Sequence, residues 1–436
     1  MTYEGRQRRR LTATVTDLEV EVQKAFLVGV LLYGDSLDDA KRSLEELSLL
    51  TQTAGSDPVD AELLKRDRPD PARFIGKGQA EELAAVTKAL DIDVVVFDND
   101  LTPVQQRNLS KIFQCDVVDR VAVILDIFAQ HATSKEGMLQ VELALLRYHL
   151  PRLRGKGTEL SRQGFGLGGI GSRGPGETRL ETDRRRIYSR VARLENEIKG
   201  LSSSRNTQRK ARRSSNIPLV ALVGYTNAGK STLLNQITDA GVLTEDRLFS
   251  TLGSTVRKAH LPSGDDILLS DTVGFVRRLP HMLVEAFRST LEEINDATMM
   301  LHIVDGSDPG AESQIAAVRE VLVEIGAAEI EEQLVFNKID LADPVAIGRL
   351  HRVFPDAAFV SALTGEGVGD LGHTIAKRLA DQYEDVKLSI PYDRADVVAA
   401  IYRDGTVLST DHGEEGTVVR ARIHTTRMNR FREFAV

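Results

Sequence analysis

The sequence predicts an α/β protein in four parts. They are an N-terminal α/β domain over 1–136, a helical hairpin with a glycine-rich basic loop and linker over 137–213, a phosphate-loop (P-loop) domain over 214–384, and a small α+β domain over 385–436. Three observations predict it. Strand-like and helix-like segments alternate through the first part. A strand, a glycine loop and a helix follow one another from Pro218 to Leu233. Between these regions the charge changes sign: Pro151 to Arg213 holds 17 Lys/Arg against 6 Asp/Glu, a net of +11 in a chain of net −8.

Bulk properties exclude several classes. With 42% hydrophobic and 28% charged residues the chain is neither a disordered nor a membrane protein. Its longest apolar run, Ala25 to Tyr33, is too short to span a bilayer. Arg6 to Arg10 precede no apolar core, so no signal peptide is expected. Cys115, the single cysteine, forms no internal disulfide and fits a reducing cytoplasm, where it reads as a small core residue. One basic segment in an acidic chain points to a localised polyanion contact, nucleic acid first.

In order, Ala25–Leu32 reads as a strand and Leu37–Thr53 as an amphipathic helix. Pro69-Asp-Pro71 lies in a loop. Gly78–Leu90 reads as a helix, Asp93–Phe97 as a buried strand, and Thr102–Phe113 as a helix capped by Asp100 or Thr102 with Pro103 in its first turn. Cys115–Val118 and a helix to Gln130 follow. This alternation predicts a parallel sheet. Ile75-Gly76-Lys77-Gly78 reads as a structural turn rather than a phosphate site.

Met138–Leu150 and Leu180–Leu201 read as the two helices of an antiparallel hairpin. Leu180, Ile187, Val191, Leu194, Ile198 and Leu201 fall at the steps of a helix-pairing seam. Gly164 to Gly176 forms its tip. Gly166, Gly168 and Gly171 spell a dinucleotide-type G-x-G-x-x-G, but no strand precedes them and basic residues flank them, so that reading fails. Arg152, Arg154, Lys156, Arg162 and Arg173 make this a loop that orders against phosphates. Ser202–Ser215 reads as a linker.

The third part carries the chemistry. Val220–Val223 reads as a buried strand, and Gly224-Tyr225-Thr226-Asn227-Ala228-Gly229-Lys230-Ser231 fits G-x-x-x-x-G-K-[ST]. Backbone N–H groups of such a loop cradle phosphates, Lys230 reaches the β and γ phosphates, and the Ser231 hydroxyl ligates Mg²⁺. Strand Ile267–Asp271 ends in Asp271-Thr272-Val273-Gly274. Asp271 is placed to hold Mg²⁺ through water, and Gly274 to offer its N–H to the γ-phosphate. Between them, Leu248-Phe249-Ser250-Thr251-Leu252-Gly253 supplies Thr251, which completes the Mg²⁺ shell while the γ-phosphate is present.

Asn337-Lys338-Ile339-Asp340 then follows a strand. The Asp340 carboxylate accepts from guanine N1–H and the 2-amino group, a pattern adenine lacks. Asn337 is placed to contact N7 and O6, and the Lys338 stem to cover the base. Ser361-Ala362-Leu363 ends another strand, with the Ala362 N–H facing guanine O6. Taken together these motifs imply a GTP/GDP site in a P-loop GTPase domain. Lys230, Thr251 and Gly274 are its catalytic groups, and Ser231 and Thr251 its metal-holding hydroxyls. Phe275 stands where glutamine would orient the attacking water, which implies slow intrinsic hydrolysis. Asn227 is the residue typical of P-loop GTPases that bind K⁺ beside the phosphates.

The sequence resembles the HflX family of ribosome-associated GTPases. The resemblance rests on Arg68-Pro-Asp-Pro-Ala72 with Phe74-Ile-Gly-Lys-Gly78, Gly174-Pro-Gly-Glu-Thr178 with Leu180-Glu-Thr-Asp-Arg184, Asn227-Ala-Gly-Lys-Ser231, and Asp271-Thr-Val-Gly-Phe275 with Glu285-Ala-Phe-Arg-Ser-Thr-Leu291. It spans residues 20–380 and is weakest at the end. It implies cytoplasmic work on the large (50S) ribosomal subunit, splitting or rescuing stalled ribosomes; the chain is expected to be a monomer. The basic hairpin would approach ribosomal RNA, and the ribosome would stimulate hydrolysis. The other readings are a switch acting on another RNA or a protein partner, with the hairpin as interaction device, and an ATP-driven remodeller. Gly253-Ser254 replaces the family's common Asp-Pro, which loosens the loop carrying Thr251. The last part reads as strand (Lys387–Ile390), helix (Arg394–Tyr402) and two strands (Thr406–Ser409, Thr417–His424) around Gly413–Gly416.

Overall fold

The computed structural model describes residues 22–152, 179–214, 217–238, 249, 255–277, 283–284, 291, 294–413 and 416–436. Contacts divide the chain into two compact units. One is Met1–Gly200 with Asp246–Gly253 and Arg277–Phe287; the other is Leu201–Glu245 with Ser254–Val276 and Arg288–Val436.

The first unit is built on a parallel four-stranded sheet of order β2-β1-β3-β4. Its strands are β1 (Lys24–Leu31), β2 (Asp57–Lys65), β3 (Val94–Phe97) and β4 (Asp116–Asp119). Runs such as Val94-Val-Val-Phe97 are apolar throughout because both faces of the sheet are covered. Strand β2 is an addition to the sequence reading: it lies at the edge and is mostly exposed, so no apolar pattern marks it.

The helices start where local chemistry dictates. In α1 (Leu37–Thr53) the Ser36 hydroxyl accepts from the Asp39 N–H. In α3 (Pro103–Phe113), Thr102 and Gln105 form a capping box. In α4 (Arg120–His131), Asp119 accepts from the Ala122 N–H. Helix α2 (Lys77–Ala89) opens at Gly76, whose N–H donates to Gln79 Oε1 at 3.1 Å, so the Gly-Lys-Gly turn serves as a helix start. The half-buried Cys115 packs against this core from just before β4, and burial pushes its thiol up to about 11.

Helices α5 (Lys135–Arg152) and α6 (Arg179–Ser214) follow. Leu194 is buried and Ile187, Val191 and Ile198 are half-buried, as the seam requires. Ion pairs Arg190–Glu142 (2.7 Å) and Arg147–Glu195 (2.8 Å) join the two helices. The expected linker is helix instead. Residues 202–214 hold no Gly or Pro, and their Arg, Gln, Lys and Ala favour helix continuation. The hairpin tip, with Arg154, Lys156, Arg162, Arg173 and Gly164–Gly176, lies outside the described residues.

Arg152 is corrected. Its guanidinium donates to Asp119 (3.0 Å), Gln106 (2.8 Å) and the Leu101 carbonyl (2.9 Å), and stacks on Tyr148. It anchors the root of the loop to the sheet rather than facing phosphates.

The second unit holds a six-stranded sheet of order β10-β9-β8-β5-β7-β6. These are β5 (Leu219–Gly224), β6 (Thr255–His260), β7 (Asp266–Asp271), β8 (Met299–Asp305), β9 (Glu331–Asn337) and β10 (Ala358–Phe359), parallel except for β6. Helices α7 (Lys230–Thr238), α8 (Ala311–Glu324) and α9 (Pro344–Val353) lie between its strands, and α10 (Val368–Asp381) follows β10. Ligands of such sheets bind at the carboxyl ends of the strands. Here β5, β7 and β9 each run into one of the predicted motifs.

An antiparallel sheet of order β11-β13-β12 ends the chain, from β11 (Tyr383–Pro391), β12 (Gly405–His412) and β13 (Gly416–His424). Helix α11 (Ala395–Asp404) covers one face, burying Ile401 against Leu388, Val419 and Ala421. This is the α+β part that was expected. Among the described residues no helix is long and apolar enough to cross a membrane.

Candidate nucleotide site

The phosphate loop turns tightly between β5 and α7. Gly224 and Gly229 have φ of +149° and +89°. A Cβ on the first would clash with the Ile303 carbonyl, and one on the second with the Asn337 amide. No other residue type fits either place. Asn227 is also left-handed, at φ +58°.

Lys230 is buried, and its Nζ donates to the carbonyls of Tyr225 (2.8 Å) and Gly224 (3.2 Å). Burial pushes its pKa down to about 8, against the opposing pull of Asp271. Ser231 Oγ donates to Asp271 Oδ2 at 2.6 Å. The second carboxylate oxygen, Oδ1, is buried and has no hydrogen-bond partner among the described residues. A hydroxyl and a carboxylate oxygen left in this way fit a hard cation with its water shell. The Thr272 hydroxyl turns back to the Leu222 carbonyl (2.7 Å), and Val273 is buried.

Gly274 and Phe275 lie directly against the phosphate loop. The Phe275 N–H donates to the Gly224 carbonyl (3.1 Å), and the Thr226 N–H to the Phe275 carbonyl (2.7 Å). The Phe275 ring is buried, so it orients no water.

Asn337 is committed to the frame. Its Nδ2 donates to the Ala228 carbonyl and its Oδ1 accepts from the Ala362 N–H, both at 2.8 Å. The expected base contacts of Asn337 and Ala362 thus give way to bonds that tie three loops together. Lys338 is left-handed at φ +62°, and its Nζ pairs with Asp305 at 2.8 Å. The Ile339 N–H donates to the Val360 carbonyl, and Ser361 Oγ accepts from the Thr364 N–H. Asp340 and Leu363 are exposed at this edge.

Two parts of the expected site differ or fall elsewhere. Phe249 is buried in the first unit, its ring edge-on to Phe128 with centroids 4.6 Å apart, so its side chain packs rather than meeting a nucleotide. Ser250, Thr251, Leu252 and Gly253 lie outside the described residues, as do residues 285–290 of the motif quoted above. Sequence reasoning missed Asp305, whose place opposite Asn337 emerges only from the β8–β9 register.

Four family models match in succession. They are described as GTP-binding GTPase N-terminal (41–129), GTP-binding GTPase Middle Region (131–212), 50S ribosome-binding GTPase (219–338) and HflX C-terminal domain (352–430). The last match corrects the expectation that the resemblance fades beyond residue 380. GTPase HflX of Caldanaerobacter subterraneus is 42% identical over 96% of this chain and 95% of its own. GTPase HflX of Escherichia coli is 41% identical over 87% and 89%. A solved structure of SsGBP in complex with GDP aligns at a TM-score of 0.45 and 22% identity, covering 82% of this chain and 98% of that one. The order of motifs along the second unit and identity sustained over almost the full length agree: the chain belongs to the HflX family of GTPases.

Proposed function

We propose that this chain is a GTP-binding and GTP-hydrolysing switch that associates with the large (50S) ribosomal subunit. The observation that carries the nucleotide reading is the Asn337 side chain. By bonding to Ala228 and Ala362 it holds the base-recognition loops against the phosphate loop. The ribosomal reading follows the description of the family matched over 219–338 and the basic charge of Pro151 to Arg213.

The nucleotide's phosphates lie over the N–H groups of Asn227 to Ser231, with Lys230 on the β and γ phosphates and the Gly274 N–H on the γ-phosphate. Ser231 directly, and Asp271 through water, would hold Mg²⁺, which neutralises charge on the β and γ phosphates. Thr251 would join them. Asp340 selects guanine by accepting from N1–H and the 2-amino group. K⁺ would sit beside Asn227. The working division is 1–136, 137–213, 214–384 and 385–436, with the basic hairpin on ribosomal RNA. The protein acts as a cytoplasmic monomer that splits or rescues stalled ribosomes.

Sedimentation with 50S subunits tests the partner. More protein should co-sediment with a GTP analogue than with GDP, and binding should weaken steeply as salt rises. Equal or absent co-sedimentation overturns the ribosomal reading and leaves GTP binding intact. Equal turnover in KCl and NaCl overturns the K⁺ site.

A further inference from the structure

Phe275 leaves the attacking water without the side chain that usually orients it. A hydroxyl-bearing residue, Thr226, packs against Gly274, the group expected to meet the γ-phosphate. Thr226 is bonded by its N–H to the Phe275 carbonyl at 2.7 Å, which sets its side chain against Gly274. A Cβ built on Gly274 would lie 2.8 Å from Thr226 Cα, 3.0 Å from Thr226 Cβ and 3.1 Å from Lys230 Nζ. Gly274, Thr226 and Lys230 therefore converge on one spot. Two of them are the γ-phosphate donors named above. Thr226 is only 7% exposed, so its hydroxyl works away from bulk water, where a single hydrogen bond counts for more.

We infer that Thr226 is a catalytic residue, its hydroxyl accepting a hydrogen bond from the attacking water and donating one to a γ-phosphate oxygen. The inference rests on the GTP-hydrolase reading. The water oxygen bonds to the γ-phosphorus as the bond from that phosphorus to the β–γ bridging oxygen breaks. The bridging oxygen keeps the electron pair and leaves on GDP. One water proton passes to a γ-phosphate oxygen, giving inorganic phosphate. Thr226 is unchanged at the end and contributes orientation only.

Single-turnover GTP hydrolysis by the full chain tests this with Thr226→Val, which keeps the shape and removes the hydroxyl, and Thr226→Ser, which keeps the hydroxyl. The valine variant should be slower on the order of 10²-fold, with affinity for a fluorescent GDP within about twofold of the parent. The serine variant should stay within about threefold of the parent rate. A valine variant as fast as the parent, or a serine variant as slow as valine, overturns the inference. If the valine variant fails to bind GDP, Thr226→Ala replaces it: alanine slow and serine fast supports the role, and equal rates overturn it. Lack of turnover in the parent would instead sink the hydrolase reading itself.

Discussion

Ser231 Oγ lies 2.6 Å from Asp271 Oδ2, although 40 residues separate them and they belong to different elements. That bond joins the start of α7 to the end of β7, the two places proposed to hold a metal beside the phosphates. Because the other Asp271 oxygen is buried and has no hydrogen-bond partner among the described residues, replacing the carboxylate should act mainly on the proposed Mg²⁺ binding. Asp271→Asn should weaken Mg²⁺ affinity about 10–100-fold, read from the Mg²⁺ dependence of GTP hydrolysis. An unchanged Mg²⁺ midpoint would count against this arrangement.

Asp305 pairs with Lys338, the residue proposed to cover the base, and its Oδ1 is itself fixed by the Ser307 N–H (3.0 Å) and hydroxyl (2.6 Å). Asp305→Ala should weaken GDP and GTP binding alike by about fivefold, about 1 kcal/mol, with the hydrolysis rate of bound GTP unchanged. Fluorescent-nucleotide titration measures the first and single-turnover hydrolysis the second. A loss confined to GTP would contradict a base-side role.

Arg120 is buried at 1% exposure between Glu46 (2.6 Å) and Asp98 (2.7 Å), within the first unit. Arg120→Met leaves the buried Asp98 carboxylate without its cation, at a cost of about 3–5 kcal/mol. The rate at which Cys115 reacts with a thiol reagent in increasing urea should report this, since that cysteine packs on the same sheet's core and is the only one. The transition should move to lower urea.

His302 sits buried in β8, and burial lowers its pKa below the usual value. The Glu332 carboxylate, bonded to its Nδ1, opposes this, while Arg319 and Lys230 add to it. A lowered folded pKa keeps the ring neutral while the unfolded chain's ring protonates near 6.5. Stability is therefore full above that pH and falls below it, by about 1 kcal/mol between pH 7 and 5.5. Urea unfolding at the two pH values measures the loss, and His302→Gln should reduce it.

Legibility in the sequence followed how local each cause is. Helix α1 emerged with its ends because Ser36 caps it and its apolar residues keep helical spacing. Strand β2 escaped because it is an edge strand, mostly exposed and carrying Pro58. Helix α6 overran the expected linker because serine and arginine composition reads as loop, while residues 202–214 hold no Pro to break a helix that already runs through Gly200. In the candidate nucleotide site, motif spacing alone picked out the phosphate loop, Asp271 and Asn337 that the fold brings together. The ties among them were not readable from it. Asn337 reaches Ala228 across 109 residues, and Asp305 meets Lys338 only because β8 and β9 pair in the register Asp305 opposite Asn337. Arg152 misled because its charge suited the basic loop, whereas its partner Asp119 is distant in sequence.

The central claim is that the loop from Gly224 to Ser231 and Asp340 form one guanine-nucleotide site that hydrolyses GTP. Phosphate release from GTP, ATP and xanthosine triphosphate, by the parent and by Asp340→Asn, tests it most directly. The parent should act on GTP and leave ATP, and the variant should lose GTP turnover and gain xanthosine triphosphate, whose 2-oxo group suits an amide donor. ATP turnover equal to GTP in the parent, or GTP turnover that survives Asp340→Asn, would contradict it.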